Sequence, residues 1–307
     1  MKKVLVTGGA GFIGSHLVDR LIHEGCSVSI IDNLSTGSLD NVNKNAKFYE
    51  MDIRDSEISK VFEAERPEYV FHHAAQRDVK KSLEDPVSDS DVNIIGTVNI
   101  LENCRRYDVY KHIYPSSAAV YGMPEYLPLD ELHSINPISY YGISKYTPEQ
   151  YIKVYSDLYG MKYTIFRYAN VYGIRQDPKG EGGVVAIFME RLMKGKIPVI
   201  YGDGEQTRDF IYVDDIVEAN IKALCYGDNE TLNISTNIPV SINELYSLIK
   251  DMLEIEHDAE HAGERAGDIR YSCLDNSKAM KLLDWKPKYS IKEGLRKTID
   301  YYAKSIY

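Results

Sequence analysis

The chain has 307 residues, enough for one large or two modest domains around a sizeable core. Its 44% hydrophobic and 27% charged content is that of an ordinary globular protein. With 36 Lys plus Arg against 46 Asp plus Glu, a formal net charge of −10 and no basic block, nucleic acid and acidic lipid are excluded as main partners.

The start, MKKVLVTGG, carries the charges of a signal peptide, but Thr7-Gly8-Gly9 cuts its apolar run short. No apolar stretch approaches the roughly 18 residues that span a bilayer, so a cytoplasmic protein is expected. Cys26, Cys104, Cys225 and Cys273 lie far apart without a CxxC pair. They read as reduced thiols, and no metal site is expected. The sequons at Asn33, Asn229 and Asn233 are then incidental.

In chain order, residues 4–7, 27–32, 47–50, 69–72, 112–116 and 163–166 read as strands, several apolar on consecutive residues, as in strands covered on both faces. Residues 16–24, 57–65, 92–106 and 141–159 carry helical periodicity between them. Alternating strands and helices imply an α/β fold with a doubly wound parallel sheet, Rossmann-like. The pattern changes after residue 168. GIRQDPKGEGG at 173–183 reads as a long loop, one helix opens at Asp214 or Asp215, another follows Ser241, and residues 261–270 read as a late loop. The expected division is a dinucleotide-binding domain over 1–168 and a smaller α/β substrate domain over 169–307. The ligand should lie between them, above the carboxyl ends of the strands.

The first strand runs into Thr7-Gly8-Gly9-Ala10-Gly11-Phe12-Ile13-Gly14 and then a helix. Glycines at this spacing allow a tight turn, close approach of the backbone to a pyrophosphate, and close helix packing. Amides at the helix N-terminus then face the anion. Asp32 ends the second strand, 21 residues after Gly11, where a carboxylate binds the adenosine ribose hydroxyls. No Arg follows it in Asp32-Asn33-Leu34-Ser35 to meet a 2′-phosphate, which favours NAD over NADP. Asp52, after the third strand, either touches adenine or caps a helix.

Tyr141-Gly142-Ile143-Ser144-Lys145 puts a phenol and an ammonium four residues apart on one helical face. A nearby ammonium favours the phenolate, so Tyr141 can act as general base and, once protonated, as general acid. Lys145 can also hydrogen-bond the nicotinamide ribose.

With these motifs the chain resembles the extended short-chain dehydrogenase/reductases, the NAD-dependent epimerase/dehydratase family, and within it the UDP-glucose 4-epimerases. The similarity runs from Met1 to about Trp285 through TGGAGFIG, DNLSTG, HHAAQ, DVNIIGT, SSAAVYG, YGISK, NVYGIRQDP, DGEQTRDFIYVDD and GERAGDIRYS. The resemblance implies Tyr141 as acid/base, Lys145 as its partner and Ser117 as the hydroxyl assisting proton transfer. It places Gly8, Gly11, Phe12, Ile13, Gly14, Asp32, Asn33, Gly37, Asp52, Ile53, Ala74, Ala75 and Asn93, with Tyr141 and Lys145, around NAD. Ser117, Tyr141, Asn170, Arg208, Arg265, Asp268 and Ser272 would hold a UDP-sugar. Two arginines converging on a diphosphate give charge-assisted hydrogen bonds, in keeping with that assignment.

Relatives that eliminate water or carbon dioxide after oxidation carry acidic side chains just after the serine. This chain has Ala118 and Ala119, and a methyl cannot move a proton. The implied reaction is therefore 4-epimerisation through a transient 4-keto sugar, with NAD regenerated in each turnover. Ser272, four after Asp268, is small where a bulky residue excludes N-acetyl sugars, so N-acetylhexosamines should be accepted beside plain hexoses. UDP-glucuronate or a dTDP-sugar would suit the same mechanism; a dehydratase, a decarboxylase or a non-catalytic NAD-sensing regulator fits the residues less well. The family pairing of helices 92–106 and 141–159 across a two-fold axis implies a homodimer. Tyr140, Pro115 and Pro148 depart from the pattern, and Pro148 should kink its helix one turn after Lys145.

Overall fold

The computed structural model describes residues 1–178, 183–264 and 268–306. Its first half runs β1 (Lys3–Thr7), α1 (Phe12–His23), β2 (Ser27–Asp32), β3 (Lys47–Glu50), α2 (Ile58–Glu65), β4 (Tyr69–His72), α3 (Val79–Glu84), α4 (Pro86–Ser90), α5 (Gly96–Arg106), β5 (Lys111–Ser117), α6 (Tyr140–Tyr159) and β6 (Lys162–Tyr168). The second half runs β7 (Asn170–Tyr172), α7 (Val184–Met193), β8 (Val199–Tyr201), β9 (Thr207–Tyr212), α8 (Val213–Lys222), β10 (Glu230–Ile234), β11 (Pro239–Ser241), α9 (Ile242–Met252), β12 (Glu260–Ala262), α10 (Ser277–Leu283) and α11 (Ile291–Ile306).

Seven strands form one parallel sheet in the order β10-β6-β5-β4-β1-β2-β3. Both faces of each central strand are apolar. Val4 and Val6 enter one core with α1 and α8, while Leu5 enters the other with α2, α5 and α6. After β3 the chain crosses to the far side of β1 to form β4, so the strand order reverses between β1 and β4. A crevice opens at that point above the strand ends. Thr7 and His72, the last residues of these two strands, are register partners.

The boundary expected at residue 168 is crossed. β10 pairs with β6 from Glu230↔Thr164 to Ile234↔Tyr168, and α8 packs on α1. The cause is apolar: Leu232 and Ile234 on β10, and Ile216 and Ala219 on α8, are fully buried in the core that Phe166 and Leu17 share. The rest of the second half forms its own layer, a β11-β9-β7 sheet with α7, α9 and α11 packed around Phe188, Leu245 and Leu295. Part of the expected late loop is strand β12, paired with β8.

Helix ends follow local chemistry. Ser139 caps α6, its hydroxyl accepting from the Gly142 amide at 3.1 Å, and Gly160 ends it in the left-handed region at φ +73°. α6 runs through Pro148 as one continuous helix, and Ser144 is the residue whose carbonyl lacks its usual i+4 amide there. The helix expected from Val92 opens instead with a wide π turn over Asp91–Ile95 before α5.

Candidate active site

β1 turns sharply at Gly8, whose φ of +71° is left-handed. A Cβ there would lie 2.6 Å from the Ala74 amide nitrogen, so the turn presses on the segment leaving β4. A Cβ at Gly14 would lie 2.1 Å from the Gly8 carbonyl oxygen. α1 therefore closes directly onto the loop. Gly11 caps this helix with no side chain, leaving the amide end that Phe12 and Ile13 begin as an anion-seeking terminus.

Asp32 ends β2 with its carboxylate fixed: Oδ2 accepts from the Ala10 amide at 2.9 Å and Oδ1 from the Leu34 amide at 2.8 Å. Gly37 comes so close that a Cβ would stand 3.0 Å from Asp32 Oδ1. Asn33 Nδ2 donates to Asp52 Oδ2 at 2.7 Å. Arg54 grips the same carboxylate with Nε and Nη2 at 2.8 Å each, and these bonds hold the Asp52 carboxyl down at about 2. Of the two roles open for Asp52, helix capping is not realised, because α2 begins only at Ile58 after Glu57. Ile53 is buried beneath Gly96.

Beneath the cleft runs a chain of hydrogen bonds that fixes a tautomer. Thr97 Oγ1 donates to the Asn93 carbonyl at 2.6 Å, so toward His72 Nε2, at 3.0 Å, it accepts. The ring proton is then on Nε2, and Nδ1 accepts from Thr7 Oγ1 at 2.7 Å. Thr7 Oγ1 in turn accepts from the Ala74 amide at 3.2 Å, which sets Ala74 and its neighbour Ala75 against the glycine turn. Burial pushes His72 well below the ordinary imidazole value, aided by His112 and Lys145. Asn93, placed by the resemblance beside NAD, is buried, and its amide is engaged by protein. Oδ1 accepts from the Gln76 amide at 2.8 Å, and Nδ2 faces the Gln76 carbonyl at 2.9 Å, Ser144 Oγ at 3.0 Å and Asp89 Oδ1 at 3.2 Å.

Tyr141 and Lys145 lie one turn apart on α6, and the Tyr141 amide donates to Ser82 Oγ of α3 at 3.1 Å. The Ser117 hydroxyl, at the end of β5, faces the Tyr141 phenol. Burial pushes that phenol up, the Ser117 hydroxyl pulls it back, the Asp89 charge adds to the rise and Arg77 opposes it. Lys145 is 4% exposed, with Nζ 4.5 Å from the Tyr114 ring centroid. Burial brings its ammonium down to about 7 against the pull of Glu149 and Asp89. Burial thus disfavours the charged form of both groups, raising the phenol and lowering the ammonium, and leaves Lys145 able to exchange its proton near neutrality. Ala118 and Ala119 follow Ser117 in a short 3₁₀ turn and bring no titratable group.

The residues expected to hold the substrate's diphosphate gather on the second layer. Asn170 opens β7, Arg208 lies on β9, and β7 and β9 pair side by side. Arg208 Nη2 meets Asp268 Oδ1 at 2.6 Å, so Asp268 orients the guanidinium. Ser272 donates its amide to the Thr207 carbonyl at 3.2 Å, and Tyr271 forms a bridge with Thr207. Adjacent residues of an extended segment point to opposite faces, so Ser272 and Tyr271 do not share a side. Arg265 lies outside the described residues.

Three buried charges escaped the sequence reading. Glu149 and Arg167 form a sealed pair behind Lys145, and Asp89 sits in α4 beside Asn93. Glu149 stands four residues after Lys145 on the same face, the spacing of a local ion pair. Nothing local marks Asp89.

Comparison with known proteins agrees with this geometry. The NAD dependent epimerase/dehydratase family matches residues 4–238. The crystal structure of Thermotoga maritima UDP-glucose 4-epimerase with UDP-glucose is 48% identical, with a TM-score of 0.98 over 99% of each chain. The Thermus thermophilus UDP-glucose 4-epimerase complex with NAD is 42% identical, with a TM-score of 0.94 over 99% of each chain. The solved UDP-N-acetylglucosamine 4-epimerase of Methanobrevibacter ruminantium, in complex with UDP-N-acetylmuramic acid, is 38% identical, with a TM-score of 0.94 over 99% of each chain.

Proposed function

Since the chain belongs to the NAD dependent epimerase/dehydratase family, matched over residues 4–238, we propose that it is an NAD-dependent 4-epimerase of UDP-hexoses, interconverting UDP-glucose and UDP-galactose. One observation carries this reading: Ser117 at the end of β5 faces the Tyr141 phenol, Lys145 lies one turn further along α6, and the neighbouring Ala118 and Ala119 supply no second acid or base.

The glycine cradle fits a dinucleotide, because at Gly8 and Gly14 a Cβ would collide with backbone that must stay close for the loop to wrap a pyrophosphate. Gly8, Gly11 and Gly14 with the α1 terminus would hold the pyrophosphate, Asp32 the adenosine ribose and Lys145 the nicotinamide ribose. Bound there, NAD would supply a reversible hydride acceptor for C4 of the sugar. The protein's own part is proton transfer and orientation. Tyr141 takes the proton of the 4-hydroxyl with Ser117 bridging, and gives it back to the 4-keto oxygen on the return. Lys145 supplies the positive charge that favours the phenolate. Asn170, Arg208 and Arg265 anchor the UDP, so the 4-keto sugar can turn without leaving.

The small Ser272 extends the range to the N-acetylhexosamine pair, in line with the N-acetyl substrate named for the M. ruminantium enzyme. The protein acts as a homodimer. Ile143, Tyr151, Val154 and Leu158, all exposed, repeat at helical spacing along α6 on the face away from Lys145, a stripe suited to a second copy. No described helix is long and apolar enough to cross a membrane, in keeping with a cytoplasmic location.

Proton NMR of the purified protein with UDP-galactose, UDP-N-acetylgalactosamine or UDP-galacturonate, and no added NAD, tests the reading. New gluco-configured anomeric signals are expected with the first two. No conversion of any of the three, even with NAD added, would overturn it. Sedimentation of the parent and of Leu158→Lys tests the dimer.

A further inference from the structure

Asp89 is a carboxylate 1% exposed, on a short helix that the proposed chemistry does not use. Its Oδ1 accepts from Gln76 Nε2 at 2.7 Å and faces Asn93 Nδ2 at 3.2 Å. Its Oδ2 is buried and has no hydrogen-bond partner among the described residues. A buried carboxylate left half-satisfied is costly, and such a group in a native structure calls for an explanation. Its surroundings locate that function. Asn93 ties it to Ser144, the residue before Lys145, and Gln76 ties it to the segment that carries Ala74 and Ala75.

We propose that Asp89 is a positioning residue that sets the proton balance of the Tyr141–Lys145 pair through its charge, holding the lysine cationic and delaying loss of the phenol proton. This rests on the acid/base reading of Tyr141. The charged and titratable groups around the pair come from every side: Glu149 on α6, paired with Arg167 of β6; Tyr114 on β5; His72 and His73 at the end of β4, both neutral; and Arg77 after them. Glu149, paired with Arg167, acts on Lys145 ahead of Asp89, but Asp89 is the carboxylate whose charge acts on both members of the pair. It opposes a negative phenolate and favours a positive ammonium, and the directions found for Tyr141 and Lys145 include both effects. An uncompensated charge one or two side chains away is worth on the order of one pH unit at an effective dielectric near 20.

Asp89→Asn keeps the shape and the Oδ1 acceptor and removes the charge. Activity requires Tyr141 deprotonated and Lys145 protonated, so the acid and alkaline limbs of turnover should both move to lower pH, by on the order of one unit. The phenolate absorbance that Tyr141→Phe abolishes should shift the same way, and it needs no turnover. Gln76→Leu breaks the hydrogen bond but keeps the charge, and is expected to lower activity without moving either limb. If Asp89→Asn does not fold, Asp89→Ser is read in the same way. A profile that only loses height, or a phenolate titration that stays in place, would overturn the proposal. A parent without epimerase activity would instead refute the function, and the phenolate titration would still judge Asp89.

Discussion

Glu149 of α6 and Arg167 of β6 meet at 2.7 Å with 0% and 4% of their side chains exposed, so the helix that carries Tyr141 and Lys145 is riveted to the sheet by a desolvated ion pair. Neighbouring hydroxyls extend the pair into a network. Ser116 Oγ donates to Glu149 Oε1 at 2.5 Å, and Arg167 Nη1 donates to Tyr121 Oη at 3.1 Å. Tyr121 donates onward to Asn233 Oδ1 of β10 at 2.6 Å. Because a buried pair is costly mainly when halved, Arg167→Met should lose about 3–5 kcal/mol of stability. Glu149→Gln combined with Arg167→Met should lose less than the single Arg167→Met. Urea unfolding of the two variants makes the comparison; equal losses would mean that the charges matter only as packing.

Tyr141→Phe keeps the ring and removes the hydroxyl proposed to move the proton. Turnover of UDP-galactose should fall by about 100- to 10,000-fold, while the NAD that co-purifies stays close to the parent's content. Cofactor released by acid and quantified by absorbance distinguishes lost chemistry from a lost cofactor. Turnover within tenfold of the parent would remove Tyr141 from its role.

Three histidines in the first half are kept neutral by burial. His73 and His112 are pushed down to about 3 and His72 well below its usual value; neither ring nitrogen of His112 has a partner among the described residues. The unfolded chain protonates all three near pH 6.5 and the folded chain does not. Unfolding therefore takes up protons below that pH, and stability is lost as pH falls from 6.5 toward 3. The slope approaches roughly 4 kcal/mol per pH unit when three protons are involved. Thermal midpoints should stay level above neutrality and fall steeply below pH 6, and His112→Phe should flatten the fall by about one proton's worth.

Arg208 is largely buried, and its guanidinium is oriented by Asp268. Arg208→Lys keeps the charge but loses the planar fork. KM for UDP-galactose should rise by about 10- to 100-fold, the worth of a charge-assisted hydrogen bond, with kcat changed little. Steady-state kinetics separates the two constants, and a fall in kcat alone would move Arg208 from anchoring the diphosphate to the reacting sugar.

The first half was unusually readable because its strands are short, apolar runs bounded by turn residues. Residues 27–32, 47–50 and 69–72 form strands with the ends foreseen, and Thr7 to Gly14 makes the expected loop. What stayed hidden depends on partners distant in sequence. β10 looks like any short strand until Leu232 and Ile234 are seen to complete the core beside β6. α3 and α4 are too short for a periodic signal, and they bring Ser82 to the Tyr141 amide and Asp89 to Asn93. Asn93 illustrates a different limit. Its motif placed it at the site, but only the geometry shows its amide engaged in holding the segment after β4 to the helix that carries Lys145.

The pairing of β10 with β6 also governs how the protein can be made. When a ribosome has released Tyr168, six of the seven sheet strands exist, but β6 is an open edge with Phe166 beside it. Open edges of this kind recruit other chains. The nascent sheet therefore stays unsealed until Ile234 leaves the exit tunnel, and the cell must shield that edge while the intervening residues are synthesised. A product cut at residue 168 would keep every part of the glycine cradle and still be poorly soluble.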